Sequence, residues 1–166
     1  MGYLLIDGYN LLGIFHKDLE KARDGLIERL VRYAGLLGHD IIIVFDGWKN
    51  GQPVETRSRI GAVTVIYSRL GEKADAVMKR IMREEKRQWV VISSDKEVSD
   101  FAWSMGYAPI LSHEFDKRLE LSMAARQYAG GDISDDYEDG ANYKKKGNPR
   151  QLSKREKLRR RALQRL

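Results

Sequence analysis

The chain has 166 residues, 42% of them hydrophobic, with no cysteine and a formal net charge of +6. That suits one domain with a real core and room for an appendage, and it excludes disulfides and thiolate metal sites. No apolar run approaches the roughly 20 residues that span a bilayer, and no basic segment precedes the first apolar run as in a signal peptide. The expected setting is soluble and cytoplasmic, with no membrane partner.

The elements read in chain order as follows. Tyr3-Leu4-Leu5-Ile6 runs into Asp7-Gly8-Tyr9-Asn10. A continuous apolar run of this kind reads as a strand buried on both faces, as in a parallel sheet. It places Asp7 at the strand's carboxyl end, with Gly8 permitting a sharp turn. Residues 11–17 read as a loop, and Asp18 as the cap of a helix ending near Leu37, with Gly38 as its stop. A second buried strand, 41–45, ends in Asp46-Gly47. A strand, a helix and a strand at these spacings predict a parallel pair with a right-handed crossover. Residues 47–61 read as a polar loop punctuated by Gly51, Pro53 and Gly61.

Residues 62–67 are β-branched-rich and predict a third strand, nearer an edge. A helix follows to about Lys86, its apolar face formed by Ala74, Val77, Met78, Ile81 and Met82, with Asp75 in its first turn. The strand 89–92 leads through Ser93-Ser94 into Asp95, then a helix to about Met105 and a fifth strand over 107–111. Ser112 reads as the cap of a helix to about Tyr128, and Trp89 and Trp103 read as core residues. Residues 129–150 are Gly-rich, then acidic, then basic, and read as a linker. Residues 151–166 predict a basic amphipathic helix opened by a Ser153/Glu156 capping box. The segment from Lys144 onward holds eleven Lys or Arg and one Glu, a net +10, which leaves −4 on residues 1–143. That split points to a polyanion as partner of the tail.

Three buried strands that each end in Asp aim three carboxylates at one sheet edge if the strands are neighbours. Open α/β sheets bind their ligands at that edge. Converging carboxylates repel, and they need protons or a cation to coexist. An all-oxygen donor set without cysteine or paired histidines favours Mg²⁺ or Mn²⁺ over zinc. Asp7, Asp46 and Asp95 are the strand-end candidates, and Asp75 is a fourth from the following helix. Asn10 and Ser94 are accessory polar candidates, and Asp100 is a further acid on the next helix. His16, His39 and His113 are too scattered for a triad or a metal site. The plainer structural roles are real: Asp-Gly is a common turn pair, and Asp95 also suits a helix N-cap.

Asp7-Gly8-Tyr9-Asn10, Val44-Phe45-Asp46-Gly47, Ala74-Asp75 and Ser93-Ser94-Asp95 together resemble the NYN branch of the PIN-like nucleases, within it the YacP-like bacterial subgroup. The resemblance implies a three-layer α/β/α Rossmann-like sandwich around a mainly parallel sheet of about five strands. The resemblance covers roughly residues 1–125, and the nuclease domain is expected over residues 1–128. It implies metal-dependent endoribonuclease activity, with relatives that act on mRNA at the ribosome, and products bearing 5′-phosphate and 3′-hydroxyl ends. Asp7, Asp46, Asp75 and Asp95 fall on the family's acidic positions, Asn10 and Ser94 on its accessory ones.

Two places depart from the pattern: Lys73 stands where relatives carry a small polar residue, and Lys96-Glu97-Val98-Ser99-Asp100 replaces a Glu-Gln ending. Both bear on ribosomal targeting more than on the metal site. Lys49, Arg57, Arg59, Arg69 and Lys73 are expected to leave the sheet on the acidic edge and meet an RNA backbone. Trp48 is a candidate for stacking on an unpaired base. Lys144, Lys145, Lys146, Arg159, Arg160 and Arg161 are the tail's candidates for mRNA or rRNA. Two rivals remain at this stage. One is a non-catalytic RNA- or ribosome-binding protein on the same fold. The other is an aspartyl-nucleophile phosphatase, in which Tyr9 stands where a second Asp is wanted.

Overall fold

The computed structural model describes residues 2–13, 18–47, 52–128 and 153–166. In chain order the elements are β1 (Tyr3–Asp7), α1 (Gly8–Leu12), α2 (Leu19–Leu37), β2 (Asp40–Phe45), β3 (Thr56–Ile60), β4 (Val63–Tyr67), α3 (Ala74–Glu84), β5 (Trp89–Ile92), α4 (Lys96–Ser104), β6 (Ala108–Ile110), α5 (Ser112–Tyr128) and α6 (Lys154–Leu163). The strands form one sheet in the order β3-β4-β2-β1-β5-β6, parallel except for the β3–β4 pair.

The pleat sends alternate side chains to opposite faces. Leu4, Ile6, Ile41, Ile43 and Phe45 pack with Leu26, Leu30, Tyr33 and Phe115 of α2 and α5. Leu5, Ile42, Val44 and Val91 pack with Val77, Met78, Ile81 and Ala102 of α3 and α4. Both faces of the central strands are therefore dry, which explains why their sequences are apolar without alternation. The result is the expected three-layer sandwich.

The sheet has six strands where the sequence predicts about five. The additional one, β3, lies within the predicted loop. Arg57, Ser58, Arg59 and Ile60 on it are all exposed, so no hydrophobic pattern marks it. It is held by antiparallel main-chain pairing to β4 through a two-residue turn, Gly61-Ala62, with Gly61 at φ 60°. Its arginines suit an edge that must not pair with another chain. A second unpredicted element is the single turn α1, which starts directly on β1.

α2 is capped as expected: Asp18 accepts from the Lys21 amide at 3.1 Å, and Gly38 closes the helix at φ 66°. Ser112 does not cap α5. It is the helix's first residue, and Glu114 reaches back to the Leu111 amide at 3.3 Å instead. Trp103 is half-buried rather than core, its ring covered by Arg155 at 5.4 Å.

The capping box of α6 forms as predicted from Ser153 and Glu156. This helix docks on the body. Ala162 is buried in the core of the α2/α5 face, with Leu158, Leu163 and Leu166 packed beside it. Tyr33 donates its hydroxyl to the Leu166 carbonyl, and Arg159 pairs with Glu114. Contacts to Trp103 of α4 on one layer and to Glu114 of α5 on the other make α6 a clasp around the edge strand β6. Among the described residues no helix is long and apolar enough to cross a membrane.

Candidate functional site

Neighbouring strands β2, β1 and β5 end side by side. The chain moves outward from β1 to β2 on one face and returns to β5 on the other, so the crevice at their carboxyl ends is a topological switch point. Three aspartates are delivered there. Asp7 ends β1 and caps α1, with Oδ1 accepting from the Asn10 amide at 3.1 Å and Oδ2 accepting from the Ser93 hydroxyl at 3.3 Å. Gly8 is required by space rather than by a positive φ: a Cβ there would sit 2.4 Å from the Phe45 ring. That ring, flanked by Tyr9 and Tyr67 at 5.3 and 5.5 Å, fixes where the chain turns after Asp7.

Asp46 follows β2 directly and accepts from the Ala74 amide. It therefore caps α3 from a different strand, because Lys73 at the N-cap position offers no side-chain bond. Asp95 caps α4 through the Glu97 and Val98 amides at 2.7 and 3.1 Å. The plain capping role and the edge position thus coincide in one residue.

Two serines and an asparagine brace these turns. The Ser93 hydroxyl donates to Asp7 and accepts from the Asp95 amide at 3.1 Å. Asn10 Oδ1 accepts from the Ser94 amide at 2.8 Å and the Ser112 hydroxyl at 2.6 Å. Ser94 Oγ accepts from the Ser112 amide at 3.0 Å. Asn10 and Ser94 therefore hold α1, the β5–α4 turn and the start of α5 in one register. Ser93 and Ser112 were not among the predicted site residues. Ser93 carried a usable signal, the last position before a polar turn into Asp95. Ser112 carried none, since a Ser before a helix reads as a cap.

The three strand-end acids feel one another. Asp7 is pushed up from 3.8 to about 6, first by burial, against the pull of the Asn10 amide, and further by the charges of Asp46 and Asp95. Asp75 is not among the charges acting on Asp7. It accepts from the Ala76 amide at 2.8 Å and lies 3.6 Å from the Lys79 ammonium. It also lines an open groove of about 620 Å³ with Pro53, Arg69, Glu72 and Lys73. Asp100 is exposed on α4, and among the described residues no bond joins it to the other acids.

Among the described residues, no three acids or histidines stand close enough to cage a metal unaided. The donor set still suits Mg²⁺ or Mn²⁺. Every donor is an oxygen. Asp46 and Asp95 each use only Oδ1 in their caps. Asp7 is a half-buried carboxyl with no cationic partner among the described residues. Mg²⁺ commonly keeps its waters and takes one or two carboxylates plus substrate phosphates, so a preformed cage is not needed.

The predicted cations divide. Arg69 pairs with Glu72 at 3.4 Å and, like Lys73, lines the groove beside Asp75. Arg57 pairs with Glu55 at 2.7 Å, one residue pair from the end of the β3–β4 ladder nearest the site. Arg59 lies at the opposite edge, on Asp40 at 3.4 Å and the Gly61 carbonyl at 3.1 Å. The hairpin carries the chain back along the sheet, so Arg59 does not leave with the acids. Arg159 is engaged by Glu114, whereas Arg160 and Arg161 are exposed. Trp48, Lys49, Lys144, Lys145 and Lys146 lie outside the described residues, as does His16. His39 is buried beside Gly2 at the amino end of the sheet, and His113 is exposed in the first turn of α5.

The profile of the YacP-like NYN domain matches residues 4–160. The chain belongs to the YacP-like NYN family. That family lies within the PIN-like nuclease superfamily. A curated relative, the uncharacterized protein YacP of Bacillus subtilis strain 168, is 36% identical over 90 residues, which are 49% of this chain and 51% of that protein. The chain thus spans about half the length of that curated YacP relative. Two crystal structures of Rae1 (YacP) from Bacillus subtilis share the fold at 25% identity. The tryptophan-to-leucine mutant superposes with a TM-score of 0.62 over 76% of this chain and 80% of that one. The other gives 0.57 over 78% and 83%.

Proposed function

We propose that this YacP-like NYN protein is a metal-dependent endoribonuclease, hydrolysing RNA phosphodiester bonds at the carboxyl edge of its sheet with Mg²⁺ or Mn²⁺. The observation that supports this most is the state of Asp7. A half-buried carboxyl faces two more acids and, among the described residues, no cation, a costly arrangement for folding alone and a common one where a site awaits a charged ligand. Membership in a nuclease superfamily supports the same reading.

Asp7, Asp46 and Asp95 would hold the ion, with Asp75 as a fourth acid from α3. A divalent cation there supplies Lewis acidity to the phosphorus and a water made acidic near neutral pH. The chain does the rest. Ser93 orients the Asp7 carboxyl, and the cap bonds fix one oxygen of Asp46 and of Asp95 while leaving the other free of bonds among the described residues. Arg69 and Lys73 line the groove that would receive the RNA backbone, offsetting repulsion between phosphates and acids. Attack in line with the departing 3′ oxygen gives 5′-phosphate and 3′-hydroxyl ends. The partner would be mRNA or rRNA, with action at the ribosome as a narrower form of the proposal.

The test is RNA cleavage in Mn²⁺ by the wild type, Asp7→Asn and Asp95→Asn. Loss in both variants, each still folded, is expected. Cleavage retained by both overturns the assignment. One observation favours a second reading, a non-catalytic RNA-binding protein: among the described residues the acids do not form a metal cage on their own. RNA binding that persists in EDTA, with no cleavage in Mn²⁺, would select it. Because α6 is docked, its role is tested by charge reversal rather than deletion. Arg160→Glu with Arg161→Glu should weaken RNA association and lower its salt dependence.

A further inference from the structure

Lys79 is a cation beside the acidic edge that the proposed mechanism does not use. Lys79 lies one turn along α3 from Asp75, and its side chain is only 16% exposed. Its ammonium stands 3.6 Å from Asp75 Oδ2 and is hydrogen-bonded to Glu97 Oε1. Glu97 belongs to the first turn of α4, the helix that Asp95 caps. Asp75 Oδ1 is already occupied by the Ala76 amide at 2.8 Å. Both oxygens of Asp75 are therefore engaged, whereas Asp46 and Asp95 each keep one oxygen clear of any bond among the described residues.

From this difference we infer that Lys79 is a resident counter-ion: it neutralises Asp75 in the empty site, and a divalent cation gains Asp75 only by displacing it. Glu97 gives the displaced ammonium somewhere to stay, so α3 and α4 remain tied through the exchange. Two consequences follow from the charges. Lys79 opposes metal binding, since the ion must take the Asp75 carboxylate from it. It also orders Asp75, so it is a positioning residue acting through that carboxylate.

The inference rests on the proposed metal site, and its test uses Mn²⁺ alone, with no RNA and no turnover. Free Mn²⁺ is followed by electron paramagnetic resonance while it is titrated against the full chain. Lys79→Met keeps the aliphatic stem and removes the charge. It should bind Mn²⁺ about three- to tenfold more tightly than the wild type, the size expected of one nearby charge in a water-rich setting. Lys79→Arg should stay close to the wild type. In an Asp75→Asn background, Lys79→Met should change affinity by less than about twofold, because the coupled carboxylate is gone.

Unchanged or weaker binding by Lys79→Met overturns the inference, and so does an equal gain in the Asp75→Asn background. Failure of both the wild type and Lys79→Met to take up Mn²⁺ overturns it as well. The nuclease reading is judged separately, by RNA cleavage and its loss in Asp7→Asn. A wild type that binds Mn²⁺ and cleaves RNA, with Lys79→Met unchanged, leaves the nuclease and removes only the counter-ion.

Discussion

The two ends of the sheet treat an aspartate in opposite ways. At the amino end, Asp40 opens β2 and receives Arg59 on one oxygen at 3.4 Å and Arg87 on the other at 2.9 Å. The Arg87 guanidinium also covers Tyr3 at 4.9 Å and Trp89 at 5.7 Å. At the carboxyl end, Asp7 receives a main-chain amide and a serine hydroxyl, and its charged neighbours are Asp46 and Asp95. The first acid is matched to cations and holds strands together. The second is surrounded by its own kind and is raised to about 6. Within one sheet, the acid whose charge folding disfavours is the one at the proposed ligand site.

That contrast can be broken most directly at Asp7. Asp7→Asn keeps the cap geometry and removes the charge. It should cost RNA cleavage more than the roughly 10–100-fold that a supporting residue costs, measured as initial rates in saturating Mn²⁺. A cleaving Asp7→Asn protein would reduce the carboxyl end to a second structural edge.

The same residue predicts a pH dependence in EDTA. The folded chain holds the Asp7 proton up to about pH 6, against 3.8 for the ordinary carboxyl. Stability should therefore fall as pH rises across that window and stay lower above it, by at most about 2–3 kcal/mol at 1.36 kcal/mol per pKa unit. Asp7→Asn should remove this loss, so thermal melts of the two proteins should differ at pH 8 and converge near pH 4. Parallel melts across the range would mean that Asp7 is not strained by its neighbours.

Gly8→Ala sharpens the comparison by steric means. The added methyl meets the Phe45 ring, and overpacking of this kind costs about 1–3 kcal/mol. A lower melting temperature with reduced cleavage is expected, since Asp7 moves with the turn. At the amino end, Arg87→Ala should cost about 1 kcal/mol in denaturant melts, from an ion pair and an aromatic contact. Its cleavage rate should match the wild type, and a matching loss of activity would show that the two ends are coupled.

The central strands were legible because burial on both faces leaves unbroken apolar runs, and each run ends at its acid. α2 and α3 were legible from their apolar spacing, α2 also from its Asp18 cap and Gly38. β3 was not, because an exposed edge strand is specified by main-chain pairing and by Gly61 rather than by side-chain pattern. Its absence from the reading also misplaced Arg59, whose direction reverses with the hairpin. Ser112 shows a related limit. Its local context fits a cap, and only the fold brings Asn10 and Ser94 to it. Lys79 carries no sequence signal, because a lysine on a helix face reads as solvated and only the fold sets Asp75 and Glu97 on either side of it.

The clasp formed by α6 has a consequence for biosynthesis. β6 is the outermost strand on its side, and its covering helix lies beyond more than twenty intervening residues of chain. Until ribosomes have delivered that helix, the nascent body presents an unsealed strand to its surroundings, the kind of surface that recruits a second copy. Messages truncated between α5 and α6 should thus yield protein prone to self-association even though every residue of the acidic crevice has been made.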